Sequence, residues 1–352
     1  MNHSLWKRML VTIVLVCFAN RVLDVATADA TYPALFAFGD SILDTGNNNH
    51  LFSLVKCNFA PYGRDLPNQE PTGRFCNGKI PTDIIASHLG IKQLVPAYLS
   101  GDLGVDELST GVSFASGGSG NDDLTAQMQF VLTLSAQMKN FEEYIQSLNT
   151  AVGEQKAASI ISNGLYLFSS GNNDIALTHT LNIARSLILF PIYADMIVGW
   201  ASNFLDDLYS HGARHVWVLS TLPLGCLPGP RALAGILFCQ QYLNDQAQTF
   251  NTKLEAEVSS LKTKHPDFDI RFIDVYNPML NLIQNPSSAG FVNVATGCCG
   301  SIFSGGLCNL ISGSCQDPTN HFFWDSAHPT QAGYEHSLAP ILQAMNISSI
   351  VS

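Results

Sequence analysis

The sequence predicts an α/β protein in which a parallel β-sheet is covered by helices on both faces. Five short apolar runs are continuous rather than alternating, which is typical of strands buried on both faces. Between them, apolar residues recur at steps of three and four, which is typical of amphipathic helices. This alternation of strand and helix predicts parallel strands joined by crossover helices. The predicted strands are 32–38 (YPALFAF), 112–115 (VSFA), 165–169 (LYLFS), 215–219 (HVWVL) and 270–275 (IRFIDV).

Three apolar faces predict the main helices, at residues 138–148, 197–208 and 247–261. Gly212 follows the second of them, where a glycine commonly ends a helix. Residues 296–315 are rich in glycine and cysteine and are predicted to form a stapled loop rather than a second domain. We therefore expect residues 29–352 to form one domain.

The N-terminus has the pattern of a secretory signal peptide. Lys7 and Arg8 precede an 11-residue apolar run at 9–19, and small residues follow in an A-x-A arrangement that ends at Ala28. The alternative is a membrane anchor, but a helix needs about 20 apolar residues to span a bilayer. We predict that residues 1–28 are removed, that the protein is secreted to the extracellular space of the cell wall or apoplast, and that it has no transmembrane helix.

The charge balance disfavours several classes of protein. The 352 residues are 46% apolar and only 13% charged, which does not fit a disordered chain. The 17 Lys and Arg stand against 28 Asp and Glu, for a net charge of -11. An acidic chain has no overall electrostatic attraction to phosphate backbones, so nucleic acid is not an expected partner.

Nine cysteines are present, and removal of Cys17 with the signal peptide leaves an even number. Two hypotheses compete for the remaining eight. Zinc sites favour short C-x2-4-C pairs, whereas these spacings are irregular, so disulfides are favoured in an oxidising compartment. Their connectivity stays open. Short loops would be closed by Cys226 with Cys239, by Cys298 or Cys299 with Cys308 or Cys315, and by Cys57 with Cys76.

Polar residues and glycines follow the predicted strands where a ligand site is expected, since parallel sheets bind ligands beyond the carboxyl ends of their strands. Ser41 follows the first strand, Gly117 and Gly118 the second, and Asn173 the third. Asp325 and His328 lie together near the C-terminus. Each feature alone is also typical of a turn or a helix cap, and the joint occurrence favours a catalytic site.

These residue types supply the parts of an acyl-transfer site. A serine hydroxyl is a weak nucleophile unless a base removes its proton, and His328 is the candidate base for Ser41. Asp325 would orient the imidazole and stabilise its charged form. The backbone N–H groups of Ser41 and Gly118 and the Asn173 amide would form an oxyanion hole, with Gly117 as the alternative to Gly118. Ser41 is also expected to begin a helix, whose N-terminus favours an anion.

At these residues the sequence resembles the plant GDSL esterase/lipase family of the SGNH hydrolase superfamily, over about residues 34–333. It looks most similar to the extracellular, anther-type branch. The resemblance implies a flavodoxin-like three-layer α/β/α fold, a Ser41–His328–Asp325 triad, an oxyanion hole of Ser41, Gly118 and Asn173, and no metal or other cofactor. The motifs that carry it are FGDSILDTGNNN (38–49), PTGRF (71–75), NGK (77–79), GG (117–118), GNND (171–174), GC (225–226), CCG (298–300) and DSAHPT (325–330).

Two departures from the family pattern are informative. Cys76 stands where relatives usually have serine, which supports a bridge with Cys57. Asn172 occupies a variable position of the GNND block, and no loss of function is expected from it. No serine lies in a G-x-S-x-G elbow, which argues against the α/β-hydrolase fold.

The sequence thus predicts a secreted serine esterase or lipase that acts on a lipid or on an acylated small molecule or polysaccharide. The alternatives are an extracellular acyltransferase and a catalytically inactive protein that binds lipid or cell wall. Asn346 begins an N-x-S pattern and is a predicted glycosylation site. The oligomeric state is left open.

Overall fold

The computed structural model describes residues 32–101, 103–300 and 308–351, with side chains described up to residue 344. The predicted signal peptide, residues 1–28, lies outside this range. None of the helices in the described range has the length and apolar character needed to cross a membrane.

The central sheet has four parallel strands in the order β1-β2-β3-β4. In register, Leu35 lies beside Leu165, Leu165 beside His215, and His215 beside Asp269. All residues of β1 and β2 are buried, which accounts for their continuous apolar sequence. The parallel sheet is thus confirmed, with strands β1 (Leu35–Gly39), β2 (Leu165–Ser169), β3 (His215–Leu219) and β4 (Asp269–Ile273).

The predicted strand at 112–115 is wrong as a regular strand. It lies beside β1 and makes only isolated bridges, with Ser113 paired to Ala37 on one side and to Ala97 on the other. The run is too short for a ladder, since a turn at Gly111 precedes it and the 116–118 turn follows it. Its place next to β1 nevertheless gives the strand order of flavodoxin-like sheets.

The helices form two layers, one on each face of the sheet. Helices α4, α7 and α9 pack together on one face, and α1, α10 and α11 on the other. The α-helices are α1 (Pro81–His88), α2 (Val105–Thr110), α3 (Asp123–Gln129), α4 (Leu134–Val152), α5 (Glu154–Asn163), α6 (Ile183–Ser186), α7 (Phe190–Ser210), α8 (Pro228–Leu233), α9 (Gln241–Lys264), α10 (Tyr276–Gln284) and α11 (Gln331–Val351).

Aromatic packing joins the sheet to the first layer. The Phe38 ring meets Phe141 of α4 and Phe204 of α7 at centroid distances of 5.5 Å each. The three predicted apolar faces lie in α4, α7 and α9, and Gly212 follows α7 with φ of 104°, as predicted. The three-layer α/β/α architecture is confirmed.

A second, two-stranded parallel sheet supports the chain that carries Asp325 and His328. Its strands are β5 (Asn293–Gly297) and β6 (His321–Phe323), and Phe322, Phe323 and Trp324 are buried. Disulfides staple the neighbouring loop, as predicted for residues 296–315. The bonds join Cys298 to Cys315, Cys299 to Cys308, and, near α8, Cys226 to Cys239.

The predicted bridge between Cys57 and Cys76 is wrong, because both residues are free buried thiols. Cys76 Sγ lies near the carbonyl oxygens of Lys79 and Pro329. Cys57 instead belongs to a separate cluster with Tyr62 and Trp324. Cys76 is therefore a buried thiol that takes part in no disulfide among the described residues.

Candidate active site

Ser41 is held at the carboxyl end of β1 by a tight turn. Gly39 has φ of 117°, and a Cβ there would lie 1.8 Å from the carbonyl oxygen of Ser169, so only glycine fits. The N–H groups of Leu43 and Asp44 both donate to the Asp40 carbonyl, at 3.1 Å each. Ser41 thus lies in a single turn, and the predicted helix at this point is wrong, since these bonds close one turn and do not propagate.

Three predicted residues form a continuous hydrogen-bonded chain. His328 Nε2 lies 2.8 Å from Ser41 Oγ. His328 Nδ1 lies 2.8 and 2.9 Å from the two carboxylate oxygens of Asp325. The three residues are nearly or fully buried, with Asp325 completely inaccessible. The arrangement allows the imidazole to take the Ser41 proton while Asp325 holds its other nitrogen.

Asp325 has a buried partner that the sequence did not indicate. The Tyr62 hydroxyl donates to Asp325 Oδ2 at 2.8 Å, across 263 residues of chain. Burial and the nearby carboxylate of Asp325 raise the pKa of Tyr62, so this hydroxyl stays protonated and keeps donating. Backbone N–H groups of Ala327 and His328 donate to Asp325 Oδ1, at 2.8 Å each. All these donors stabilise the charged carboxylate.

The PTGRF segment (71–75) packs against the imidazole of His328 through Phe75. The Phe75 ring lies 5.0 Å from that of His328, centroid to centroid. Its neighbour Arg74 is buried and makes a two-pronged ion pair with Asp83, with N–O distances of 2.7 and 2.8 Å. A buried bidentate pair orients its segment strongly, because opening the pair would leave two buried charges without a partner.

The asparagine-rich loop after Ser41 organises the neighbouring backbone rather than the reaction. Asp44 Oδ1 accepts from the N–H groups of Gly46 and Asn47, and Asp44 Oδ2 accepts from Gly117, all at 2.8 Å. Asn48 Nδ2 donates to the Gly117 carbonyl at 2.8 Å. The Gly117 N–H is therefore already used, which leaves Gly118 as the glycine with a free donor.

Three N–H donors belong to residues that line the cavity at Ser41. Within the described residues, the backbone N–H groups of Ser41 and Gly118 have no hydrogen-bond acceptor. Asn173 Nδ2 donates one hydrogen to the Ser119 carbonyl at 2.8 Å, which leaves its second hydrogen for another acceptor. All three residues line the same cavity. The structure thus brings together every predicted catalytic and oxyanion-hole residue.

Asn172, for which the sequence indicated no role, braces the strand ends. Its Nδ2 donates to Asp40 Oδ2 at 2.9 Å, and its Oδ1 accepts from Leu222 N–H at 3.0 Å. Burial raises the pKa of Asp40 to about 6, opposed by the bonds from Asn172 and Ile42 and by nearby His328. The signal that would have identified Asn172 is its position after β2, directly beside the end of β1.

A cavity of about 330 Å³ opens at Ser41 and His328. Most of its lining is apolar, and the polar lining residues include Ser41, Asn173 and His328. Such a cavity suits an apolar chain whose single polar group is held at the serine. The apolar side chains that line it include Ile42, Val55, Phe75, Leu177, Leu222, Leu224, Leu227 and Leu233.

Asp174, directly behind Asn173, is a second buried carboxyl that links this loop to the rest of the fold. It accepts from Asn121 N–H at 2.7 Å, from Asp122 N–H at 3.0 Å and from Thr125 Oγ1 at 2.7 Å. Burial raises the pKa of Asp174 from 3.8 to about 6, although these bonds oppose the shift. The Asp174 carboxyl therefore binds its proton more tightly in the native state than in the unfolded chain.

Replacement of Asp174 by Asn is expected to destabilise the protein most at low pH. The stability gained from the bound proton is fully present below the unfolded pKa and is lost as pH rises through about 6. The difference in unfolding free energy between wild type and Asp174→Asn is expected to shrink by on the order of 2–3 kcal/mol between pH 4 and pH 7. Urea unfolding of both proteins across this range measures it. A difference that is constant or grows with pH would contradict the assignment.

The predicted glycosylation residue Asn346 lies in α11, in the stretch whose side chains the structure does not describe.

Comparison with known proteins gives consistent matches. The family model of GDSL-like lipase/acylhydrolase matches residues 35–341. The chain is 45% identical to GDSL esterase/lipase At1g23500 of Arabidopsis thaliana, over 95% of both chains. It is 48% identical to GDSL esterase/lipase At1g73610 of the same plant, over 89% of this chain and 88% of that protein. It is 43% identical to the Arabidopsis GDSL esterase/lipase EXL3, over 86% and 85% of the two chains.

Proposed function

The chain belongs to the GDSL-like lipase/acylhydrolase family, and we propose that it hydrolyses carboxylic esters through a triad of Ser41, His328 and Asp325. The observation that carries the proposal is the unbroken chain of hydrogen bonds from Asp325 through His328 to Ser41 Oγ. This chain of hydrogen bonds ends at Ser41, which lines a mostly apolar cavity that suits the acyl part of an ester. Membership of the extracellular, anther-type branch stays a prediction.

In the first half of the reaction, Ser41 Oγ attacks the ester carbonyl carbon and His328 Nε2 takes the hydroxyl proton. Asp325 stabilises the imidazolium that forms. The carbonyl oxygen becomes an oxyanion in the tetrahedral intermediate. When this intermediate collapses, the bond to the alcohol oxygen breaks, and His328 gives its proton to the departing alcohol. The acyl group is then bound to Ser41 as an ester.

Water completes the cycle by the same steps. His328 removes a proton from a water molecule as its oxygen attacks the acyl carbon, and a second tetrahedral intermediate forms. Its collapse breaks the bond to Ser41 Oγ, which takes the proton back from His328. The products are the carboxylic acid and the regenerated serine.

The oxyanion of both intermediates would accept from the N–H groups of Ser41 and Gly118 and from the Asn173 amide. Their supports are independent of substrate: Asp44 anchors the 117–118 turn, and the Ser119 carbonyl holds Asn173. Such preorganised donors need no rearrangement as the charge develops, and removing one typically costs ~2.7–4 kcal/mol of transition-state stabilisation.

Secretion and a single hydrolase domain at 29–352 are part of the same proposal. Support for secretion comes from the signal-like pattern at 1–28 and from the three disulfides, which persist in oxidising compartments. Glycosylation at Asn346 would follow from passage through the secretory route.

A fluorophosphonate probe tests the proposal directly, because it phosphonylates serines that are activated as nucleophiles. We expect stoichiometric labelling of the purified protein, with mass spectrometry placing the adduct on Ser41. Protein unfolded in urea is the control and is expected to remain unlabelled, since activation depends on His328. Labelling at another serine, or no labelling of the native protein, would contradict the triad.

A further inference from the structure

Large apolar side chains are exposed mainly in four short segments. Among the described residues, twelve of the seventeen exposed large apolar side chains lie at 52–54, 128–130, 181–192 and 233–238. We call these four segments the collar. Exposure is high: Leu54 is fully exposed, and Leu187 and Leu233 are 81% and 88% exposed. Contiguous exposed apolar surface of this kind marks a binding surface.

The collar borders the catalytic cavity, because two of its four segments contribute residues that line it. Leu233 itself lines the cavity, Val55 follows Leu54 on its wall, and Gln129 lines it between two collar residues. Hydrogen bonds tie the segments together: Ser53 Oγ donates to the Gln129 carbonyl at 2.7 Å. Segment 181–192 contacts segment 128–130, because Asn182 Nδ2 lies 3.8 Å from Met128 Sδ. The apolar cavity therefore opens beside the apolar collar.

The collar carries almost no charge. Its segments contain no carboxylate, and their single cation, Arg185, is bound to Asp122 with an N–O distance of 2.6 Å. The chain as a whole has a net charge of -11. An anionic bilayer would repel such a protein, whereas an uncharged lipid surface meets the collar with no electrostatic cost.

We propose that the collar docks onto an uncharged lipid surface, so that the cavity opens directly into the lipid and receives esters presented there. The inference rests on the proposed esterase function and names its substrate class: water-insoluble acyl esters in a neutral lipid phase. A second copy of the chain seated on the collar would instead close the cavity mouth and block substrate entry. The lipid surface is therefore the occupant that the site favours.

The test combines Leu187→Ser with Phe238→Ser, two exposed collar residues that do not line the cavity. The probe is a trioleoylglycerol emulsion stabilised by phosphatidylcholine, and binding is measured by flotation. All binding is measured in a Ser41→Ala background, so that hydrolysis does not alter the surface. We expect the double variant to bind at least about tenfold more weakly, since burying one Leu or Phe changes partitioning by about tenfold or more. Binding of the parent protein is expected to be the same in 0.1 M and 1 M NaCl.

Val105→Ser is the matched control. Val105 is 53% exposed and begins α2. Gly111, which follows α2, lies beside Leu35 at the amino end of β1, the end of the strand opposite Ser41. It is expected to leave flotation unchanged. With Ser41 restored, the double variant is expected to hydrolyse water-soluble p-nitrophenyl acetate at the wild-type rate.

Undiminished flotation of the double variant would overturn the proposal, as would stronger binding to phosphatidylglycerol vesicles than to phosphatidylcholine vesicles. A parent protein that does not float but is a dimer, with the double variant a monomer, would show instead that the collar binds a second copy of the chain. If the wild type does not hydrolyse p-nitrophenyl acetate, the esterase function is contradicted and the docking proposal is still tested, because flotation is measured without catalysis.

Discussion

Ser41→Ala is expected to lower the rate of ester hydrolysis by about 10⁶-fold, close to the limit of detection, because it removes the atom that forms the acyl-enzyme. The cavity, the oxyanion donors and the Asp325–His328 pair stay in place, so binding of substrate is expected to change little. Initial rates on p-nitrophenyl butyrate, with kcat and KM determined separately, measure the effect. The loss is expected in kcat.

Ser170→Ala is the matched control for this variant. Ser170 is a buried serine that follows β2 at the same edge of the sheet, and its hydroxyl has no hydrogen-bond partner among the described residues. Its removal is expected to leave kcat within about twofold, since no hydrogen bond is lost. Retained activity in purified Ser41→Ala would exclude the triad mechanism.

Asp325→Asn is expected to lower kcat by about 10⁴-fold without unfolding the site. An amide N–H facing His328 Nδ1 leaves the imidazole proton on Nε2, the nitrogen that must accept the proton of Ser41. The side chain keeps its shape, and Oδ1 can still accept from the N–H groups of Ala327 and His328. Steady-state kinetics, together with a thermal melt that verifies folding, measure this tautomer effect.

Tyr62→Phe tests the contribution of the Tyr62 hydrogen bond to Asp325 separately from that of the Asp325 charge. It removes one hydrogen bond to Oδ2 but leaves the carboxylate and its bond to His328. We expect a far smaller loss, about tenfold, the size of one hydrogen bond to a charged group. Equal losses in Tyr62→Phe and Asp325→Asn would show that positioning, rather than tautomer choice, explains the effect of Asp325.

Local sequence was enough to predict most of the secondary structure that carries the site. Continuous apolar runs predicted β1 to β4 to within a few residues, because strands buried on both faces tolerate little else. The same argument failed at 112–115, which is equally apolar and buried. There the chain pairs irregularly with Ala37 and Ala97 between two turns, and hydrophobicity does not distinguish such a segment from a strand.

The sequence-based predictions were wrong or incomplete mainly for residues whose contacts lie far away in the chain. Cys57 and Cys76 were expected to pair because of their spacing and of the departure from the family pattern at Cys76, but the fold places their side chains in different hydrophobic clusters. Tyr62 had no local signal either, since a tyrosine between proline and glycine is unremarkable until folding brings it to Asp325. Pairings across such separations depend on packing that no short pattern records.

The sequence by itself determined which residue types lie at the strand ends and in what order: a serine, a glycine pair, an asparagine, and an aspartate three residues before a histidine. These follow from local backbone geometry, which a short motif encodes. Only the tertiary structure favours Gly118 over Gly117 as the proposed donor, because the Gly117 N–H already donates to Asp44. The same holds for the apolar collar, whose four segments are far apart in the chain and approach one another or the cavity only in the folded protein.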